Sequence, residues 1–144
     1  MQSTVTLTDG MRFDGTIDQH HLTIDAKAEH GGVDAGPNPK ALMLTSLAGC
    51  AAMDVISILR KMRAEPTSLA ITASAELTEQ HPKVFRDMTV RVEATGGVST
   101  KKLWRAVALS RDQYCGVAAM LKAHAPIRYE VVLDGEVVPE PVAG

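Results

Sequence analysis

The chain has 144 residues, 45% of them hydrophobic and 22% charged, with a formal net charge of −2. That composition suits one soluble globular domain spanning 1–144, and the near-neutral charge, the absence of a basic stripe and the scarcity of aromatics argue against a nucleic-acid partner. Met1 to Gly10 has neither a basic start nor an apolar run, and two cysteines do not make a secreted disulfide scaffold, so the expected setting is the cytoplasm, with thiols reduced at rest.

The first third of the chain reads as strands. Val5 and Leu7 alternate with Thr4 and Thr6, Asp9-Gly10 is a turn signal, and Phe13, Gly15 and Ile17 follow at period two. Leu22, Ile24 and Ala26 make a third short strand. His30 to Pro39 is a loop. Asn38 suits a helix cap with Pro39 at the first position, and the helix is expected to run to about Arg63. Arg60, Lys61 and Arg63 fall in its last turns, where cations favour the dipole and read as a solvated helix end.

Pro66 stops that helix. Leu69, Ile71, Ala73, Ala75 and Leu77 then alternate with polar residues, and Met88, Val90, Val92 and Ala94 do the same beyond a turn at Glu79 to Lys83. The two runs predict an antiparallel pair with one wet face. After Gly96-Gly97, Ser99 or Thr100 caps a helix with Leu103, Trp104, Val107 and Ala108 on one face. Asp112 is a candidate cap for a short helix from Cys115 to Ala123, Ile127 to Leu133 is a last strand, and the tail from Pro139 reads as loose. The expected class is α+β in the order βββ–α–ββ–α–α–β, without repeats or linkers.

Ala41 to Leu59 is apolar on nearly every face and long enough to span a bilayer. Asp54 lies well inside it, however, and a charge near a bilayer centre costs about 3 kcal/mol on insertion scales. No membrane span is expected; an all-round apolar helix that does not span is a buried core helix. One small sheet covers only one face of such a helix, so a partner chain, most simply a second copy, is expected to cover the rest.

The two cysteines, Cys50 and Cys115, stand 65 positions apart. A thiol inside an apolar helix and another near a helix start could form a peroxide-reducing pair, or both could be small buried hydrophobes. A peroxide-reactive cysteine must be a thiolate, favoured by a nearby cation or a helix N-terminus. Cys50 is mid-helix and would need a guanidinium brought from elsewhere. Arg12, in the turn region Asp9-Gly10-Met11-Arg12-Phe13-Asp14-Gly15, is the best candidate. Cys115, early in a helix, has dipole help of its own and could attack a sulfenic acid on Cys50 to close a disulfide. His20, His21 and His30 have no cysteine or carboxylate at ligand spacing, so no metal is expected. The glycines form neither a phosphate loop nor a dinucleotide fingerprint, so no cofactor is expected. Trp104 reads as core.

The segment Gly36-Pro37-Asn38-Pro39-Lys40-Ala41-Leu42-Met43-Leu44-Thr45-Ser46-Leu47-Ala48-Gly49-Cys50-Ala51-Ala52-Met53-Asp54-Val55 resembles the first-cysteine helix of the OsmC/Ohr family, and Gln113-Tyr114-Cys115-Gly116-Val117-Ala118-Ala119-Met120-Leu121 resembles its second. The stretch through Met53-Asp54-Val55 is closer to the family's less characterised, YhfA-like branch. The resemblance implies an intertwined α+β homodimer, with sites at the subunit interface and thiol-dependent reduction of organic hydroperoxides by way of an external dithiol. It implies Cys50 as peroxidatic thiol, Cys115 as resolving thiol and Arg12 as the thiolate-stabilising cation. Better characterised members carry a glutamate early in the long helix to orient that arginine; Lys40-Ala41-Leu42 has none, with Ala41 where the glutamate usually stands. Asp54, four residues beyond Cys50 on the same helix face, could hold Arg12 instead; its structural alternative is a buried, paired carboxylate. An apolar lining of Leu47, Met53, Val117 and Met120 would favour organic over hydrogen peroxide. The alternative function is a non-catalytic dimeric module that binds a small apolar ligand beside inert thiols.

Overall fold

A computed structural model describes residues 1–141. The chain divides into two compact units, Met1–Met43 and Leu44–Gly144, with the boundary inside the long helix.

The first unit is a three-stranded antiparallel sheet. Strands β1 (Ser3–Asp9), β2 (Arg12–Ile17) and β3 (His20–Ile24) pair in chain order through two tight hairpins. Gly10 and Asp18 take positive φ at the turns, the conformation that short hairpin loops demand. Beyond β3 the chain turns around Asp25, 3% exposed, whose carboxylate accepts the backbone N–H groups of Ala26 (2.7 Å), Val33 (3.1 Å) and Ala35 (3.0 Å). These bonds hold the Asp25 carboxyl below the usual carboxylate range, the Ala35 bond most strongly. Gly32 is required in this loop, because a Cβ there would lie 1.9 Å from the Ala26 carbonyl oxygen. Val5, Leu7, Met11 and Ile17 remain exposed on the sheet.

The long helix α1 (Pro39–Lys61) starts as its sequence dictates: Asn38 Oδ1 accepts the Ala41 N–H at 3.0 Å and Pro39 occupies the first turn. It ends at Lys61 rather than Arg63. Arg63 adopts a left-handed φ of 51°, and the Arg63 and Ala64 N–H groups bond back to Arg60 and Leu59, the Schellman closure with arginine in glycine's usual place. Arg60 is not merely solvated, since its guanidinium holds Glu65 at 2.7 and 2.9 Å.

In the second unit β4 (Ser68–Leu77), β5 (Phe85–Thr95), β6 (Ile127–Leu133) and β7 (Glu136–Val137) form one sheet in that order. β4 and β5 are the expected antiparallel hairpin, with alternate residues of β4 facing out. β6 lies parallel to β5, so α2 (Thr100–Leu109) and α3 (Gly116–Lys122) make the crossover between them. Ser99 caps α2 through the Lys102 N–H at 3.4 Å. Gly97, at φ 70°, would carry its Cβ into the Glu65 carbonyl oxygen. The core is central β5 (Met88, Val90, Val92), Leu103 and Val107 of α2, and one stripe of α1 — Leu47, Ala51, Val55, Ile58 and Leu59. Spacings of three and four place that stripe on a single helix face. The opposite face is open, with Met53 74% exposed. By length and composition alone α1 could also cross a membrane.

The tail corrects the expectation of a loose end from Pro139. The buried Trp104 donates Nε1–H to the Val138 carbonyl at 2.9 Å, and Arg111 grips both Glu140 oxygens at 2.9 and 3.1 Å. Val142 to Gly144 lie outside the described residues.

Candidate active site

Cys50 is half-buried in the middle of α1, and Asp54 follows one turn later on the same face. Cys115 comes from the junction between α2 and α3. A wide π turn, Ser110–Tyr114, prolongs α2 and then releases the chain at Cys115. Cys115 is not inside α3 but is its N-cap: its Sγ accepts the Ala118 N–H at 3.3 Å, the cap role that Asp112 was expected to fill. Asp112 instead faces Arg111, at 2.9 Å from each of two guanidinium nitrogens. The two Sγ atoms and a carboxylate oxygen of Asp54 lie within 4.8 Å of one another.

Two further residues finish the cluster. Ser110, 1% exposed, donates its hydroxyl to Asp54 Oδ2 at 3.0 Å, fixing the carboxylate beside the thiols. Tyr129 on β6 has a buried hydroxyl with no hydrogen-bond partner among the described residues. Burial first, and the neighbouring Cys115 next, push that phenol up to about 12. The Arg111 guanidinium lies 5.9 Å from the Tyr129 ring centroid, but its charge is committed to Asp112 and Glu140, which raise its already high pKa further. Nothing in the sequence flags Ser110, at the end of an amphipathic helix. Tyr129 carries one signal, a polar tip in the row Ile127, Tyr129, Val131, Leu133.

The electrostatics differ from those expected of Cys115. Its cap bond to the Ala118 N–H favours thiolate, yet the thiol is pushed up to about 11, by burial first and then by Cys50 and Asp54. Loss of solvation outweighs one backbone donor at the start of a seven-residue helix. Asp54 makes no ion pair among the described residues. Leu47, expected in the lining, is fully buried in the core, whereas Met120 is 70% exposed and Val117 is half-buried.

Arg12 opens β2 in the first unit. Its Nη2 lies 3.8 Å from Asp9 Oδ2, and it borders a shallow cavity with Thr8, Phe13, Asp14 and Thr23. The histidines stand apart from the cysteines in sequence; His21 Nδ1 lies 3.2 Å from Asp14 and His30 Nε2 lies 3.5 Å from Glu29.

The family model described as OsmC-like protein matches residues 30–130. The chain belongs to the OsmC-like family. It is 32% identical over 136 residues to Protein YhfA of Escherichia coli K12, covering 92% of this chain and 98% of that protein. A solved hypothetical protein from Aquifex aeolicus VF5 is 30% identical, with a TM-score of 0.78 over 92% of this chain and 96% of its own. The structure of an organic hydroperoxide resistance protein OsmC from Legionella pneumophila shares the fold, with a TM-score of 0.67 and 16% identity over 91% of this chain and 95% of its own. Membership of this family, together with a closely spaced cysteine pair, supports a redox role.

Proposed function

We propose that the protein is a thiol-dependent peroxidase that reduces organic hydroperoxides through Cys50 and Cys115. The observation that carries the reading is the approach of the two sulfurs, separated by 65 positions in the chain, to within 4.8 Å. A disulfide requires about 2.05 Å between the sulfurs, so closing it takes a further approach of the two side chains.

The Cys50 thiolate attacks the terminal peroxide oxygen. The O–O bond breaks, the alkoxide leaves and takes a proton, and Cys50 becomes a sulfenic acid. Cys115 sulfur then attacks the Cys50 sulfur, water leaves, and an intramolecular disulfide remains. An external dithiol returns both thiols and is itself oxidised. The order suits the site: Cys50 is half-exposed, whereas Cys115 is buried and held protonated, a poor first nucleophile. Arg12 is the cation we assign to the Cys50 thiolate and the developing alkoxide, and Asp54 is its support. The name of the Legionella relative adds weight to a hydroperoxide substrate.

The working form is a soluble, cytoplasmic homodimer. Support comes from the open side of α1 with Met43 and Met53, and from the exposed Val5, Leu7 and Ile17 of the first sheet, apolar surface that a second copy would cover. The absence of a glutamate at Ala41, with Asp54 beside the thiols, favours one other reading: a dimeric module that binds a small apolar ligand beside inert cysteines. One equivalent of cumene hydroperoxide added to reduced, chelator-treated protein separates the two. The peroxidase reading expects loss of both free thiols and an intramolecular Cys50–Cys115 disulfide by peptide mass; two unmodified thiols would leave the binding module.

A further inference from the structure

We propose that Cys50, Cys115 and Asp54 form a zinc site in the reduced protein, so that zinc occupancy and the disulfide are alternative states of the same two sulfurs.

The donor set is the first reason. Two thiols and a carboxylate are the ligand types of a borderline-soft divalent ion; calcium and magnesium require oxygen ligands and are poorly served here. The geometry is the second. Around tetrahedral zinc, with Zn–S near 2.3 Å and Zn–O near 2.1 Å, neighbouring donors lie about 3.5–3.8 Å apart. The three ligand atoms already lie within 4.8 Å of one another, so closure onto an ion takes about an ångström of movement. Cys50 and Asp54 are presented by one rigid helix at a spacing of four, and Cys115 by the cap of another.

The surroundings are the third reason. Metal sites are held by hydrogen bonds to the ligands themselves. Here Ser110 donates to Asp54 Oδ2, and the Ala118 N–H donates to Cys115 Sγ. Both bonds aim the ligand without consuming its donor capacity. Asp54 makes no ion pair among the described residues, and a divalent ion would supply it a positive partner while taking the thiols as thiolates. Three protein ligands leave a fourth position for water, and Cys50 and Asp54 are only half-buried.

Binding releases one proton from each thiol to solvent. On the peroxidase reading, which this consequence rests on, a hydroperoxide oxidises the zinc-bound pair. Two thiolates lose two electrons and join as a disulfide, the peroxide and two protons become alcohol and water, and zinc leaves as the free ion. Zinc would therefore guard the thiols from adventitious alkylation while remaining displaceable by oxidant.

The test uses the whole reduced chain, freed of metal and kept anaerobic. Zinc is titrated against a chromophoric chelator and cobalt is added in parallel. The expected result is one ion per chain, with a tetrahedral cobalt spectrum and a thiolate-to-cobalt charge-transfer band. Asp54→Asn should weaken binding about 10- to 100-fold, and Cys50→Ser or Cys115→Ser by about 100-fold or more, with loss of the band. Preformed disulfide should bind none. Binding that survives Cys50→Ser and shows no thiolate band would place the ion on surface histidines such as His20, His21 or His30 and overturn the proposal, as would no binding by folded wild type. The wild-type cobalt spectrum is decisive even where a cysteine variant misfolds. Disulfide formation in zinc-free protein is scored separately, so failure of either reading leaves the other standing.

Discussion

Cys115 offers the sharpest physical test of the site. Burial, Cys50 and Asp54 together raise its thiol from an ordinary 9.0 to about 11. At pH 7 a thiol of pKa 11 is ionised in about one molecule in 10⁴, against about one in 10² for an ordinary thiol, a deficit of about 100-fold. The expected outcome is an alkylation profile for Cys115, read by peptide mass with iodoacetamide in the presence of chelator, whose midpoint lies near 11. The midpoint is the useful quantity, because burial also slows reagent access at every pH and so lowers the rate without moving the midpoint. Cys50→Ala removes both a hydrogen bond and a charge that oppose ionisation, and should move the midpoint down. The same shift has a stability consequence. The folded state prefers the protonated thiol, so the contribution of Cys115 is complete below pH 9 and is lost as pH rises through 11. A wild-type midpoint between about 8 and 9, the range of a free thiol, would mean that burial and neighbours do not act on Cys115 as described, and would reopen the assignment of the first nucleophile.

Asp54→Asn should lower the same Cys115 midpoint, since the carboxylate is one of the charges raising it; if peroxide consumption also falls with the fold intact, Asp54 orients a cation, and no change in either quantity would mean that it points away. Leu59→Ala deletes a side chain with 0% exposure and should cost about 2–5 kcal/mol in urea unfolding; a loss below about 1 kcal/mol would contradict a tightly packed α1 stripe. Met53→Lys puts a charge on the open side of α1 and should shift dimer to monomer in light scattering at micromolar concentration, an expectation refuted if wild type is itself a stable monomer. The Asp25 carboxyl is held below its ordinary 3.8 by backbone N–H groups, so its contribution to stability is present above 3.8 and lost only as pH falls below it. The Val33 and Ala35 amide resonances should therefore titrate with a midpoint under 3.8, and a midpoint at or above 3.8 would dissolve that account.

Local signals carried the element order. Asn38-Pro39 and Ser99 start their helices because their side chains do what such residues do at caps, and the alternation of β4 and β5 follows from one buried and one wet face. What escaped depends on contacts between distant positions. The parallel pairing of β6 with β5 is set by the crossover, which strand periodicity does not encode. The anchored tail depends on Trp104 and Arg111 reaching Val138 and Glu140 across 34 and 29 residues. Cys115 misled locally: sulfur is a weak acceptor outside the usual cap set, and Asp112 is the better local candidate until Arg111 claims it. Within the site, Cys50 and Asp54 are legible as a pair at a spacing of four. Their proximity to Cys115 is not, because it depends on where a π turn places the end of α2; the pairing of the cysteines came from family resemblance.

The chemistry of the site turns on a source of positive charge. A peroxidase needs a thiolate, and a thiolate beside Asp54 needs a cation. Within the second unit Arg111 is a poor candidate, since it already serves two carboxylates and a ring face, and Lys61 lines a cavity together with Asp54. A hydrogen bond from the Tyr129 hydroxyl, which has no partner among the described residues, would help a thiolate without neutralising it. On the proposed function that charge comes from Arg12, and on the zinc proposal from a metal ion, and the two leave different signatures. An arginine favours thiolate while leaving the sulfur free to attack, so Arg12→Ala should slow alkylation of Cys50 in metal-free protein. A zinc ion favours thiolate while occupying its lone pair, so chelation should speed alkylation of Cys50. Opposite responses to removing the positive charge make the two sources separable in one assay, and both can operate in one protein if zinc occupies the resting site and the arginine serves the metal-free, reacting one.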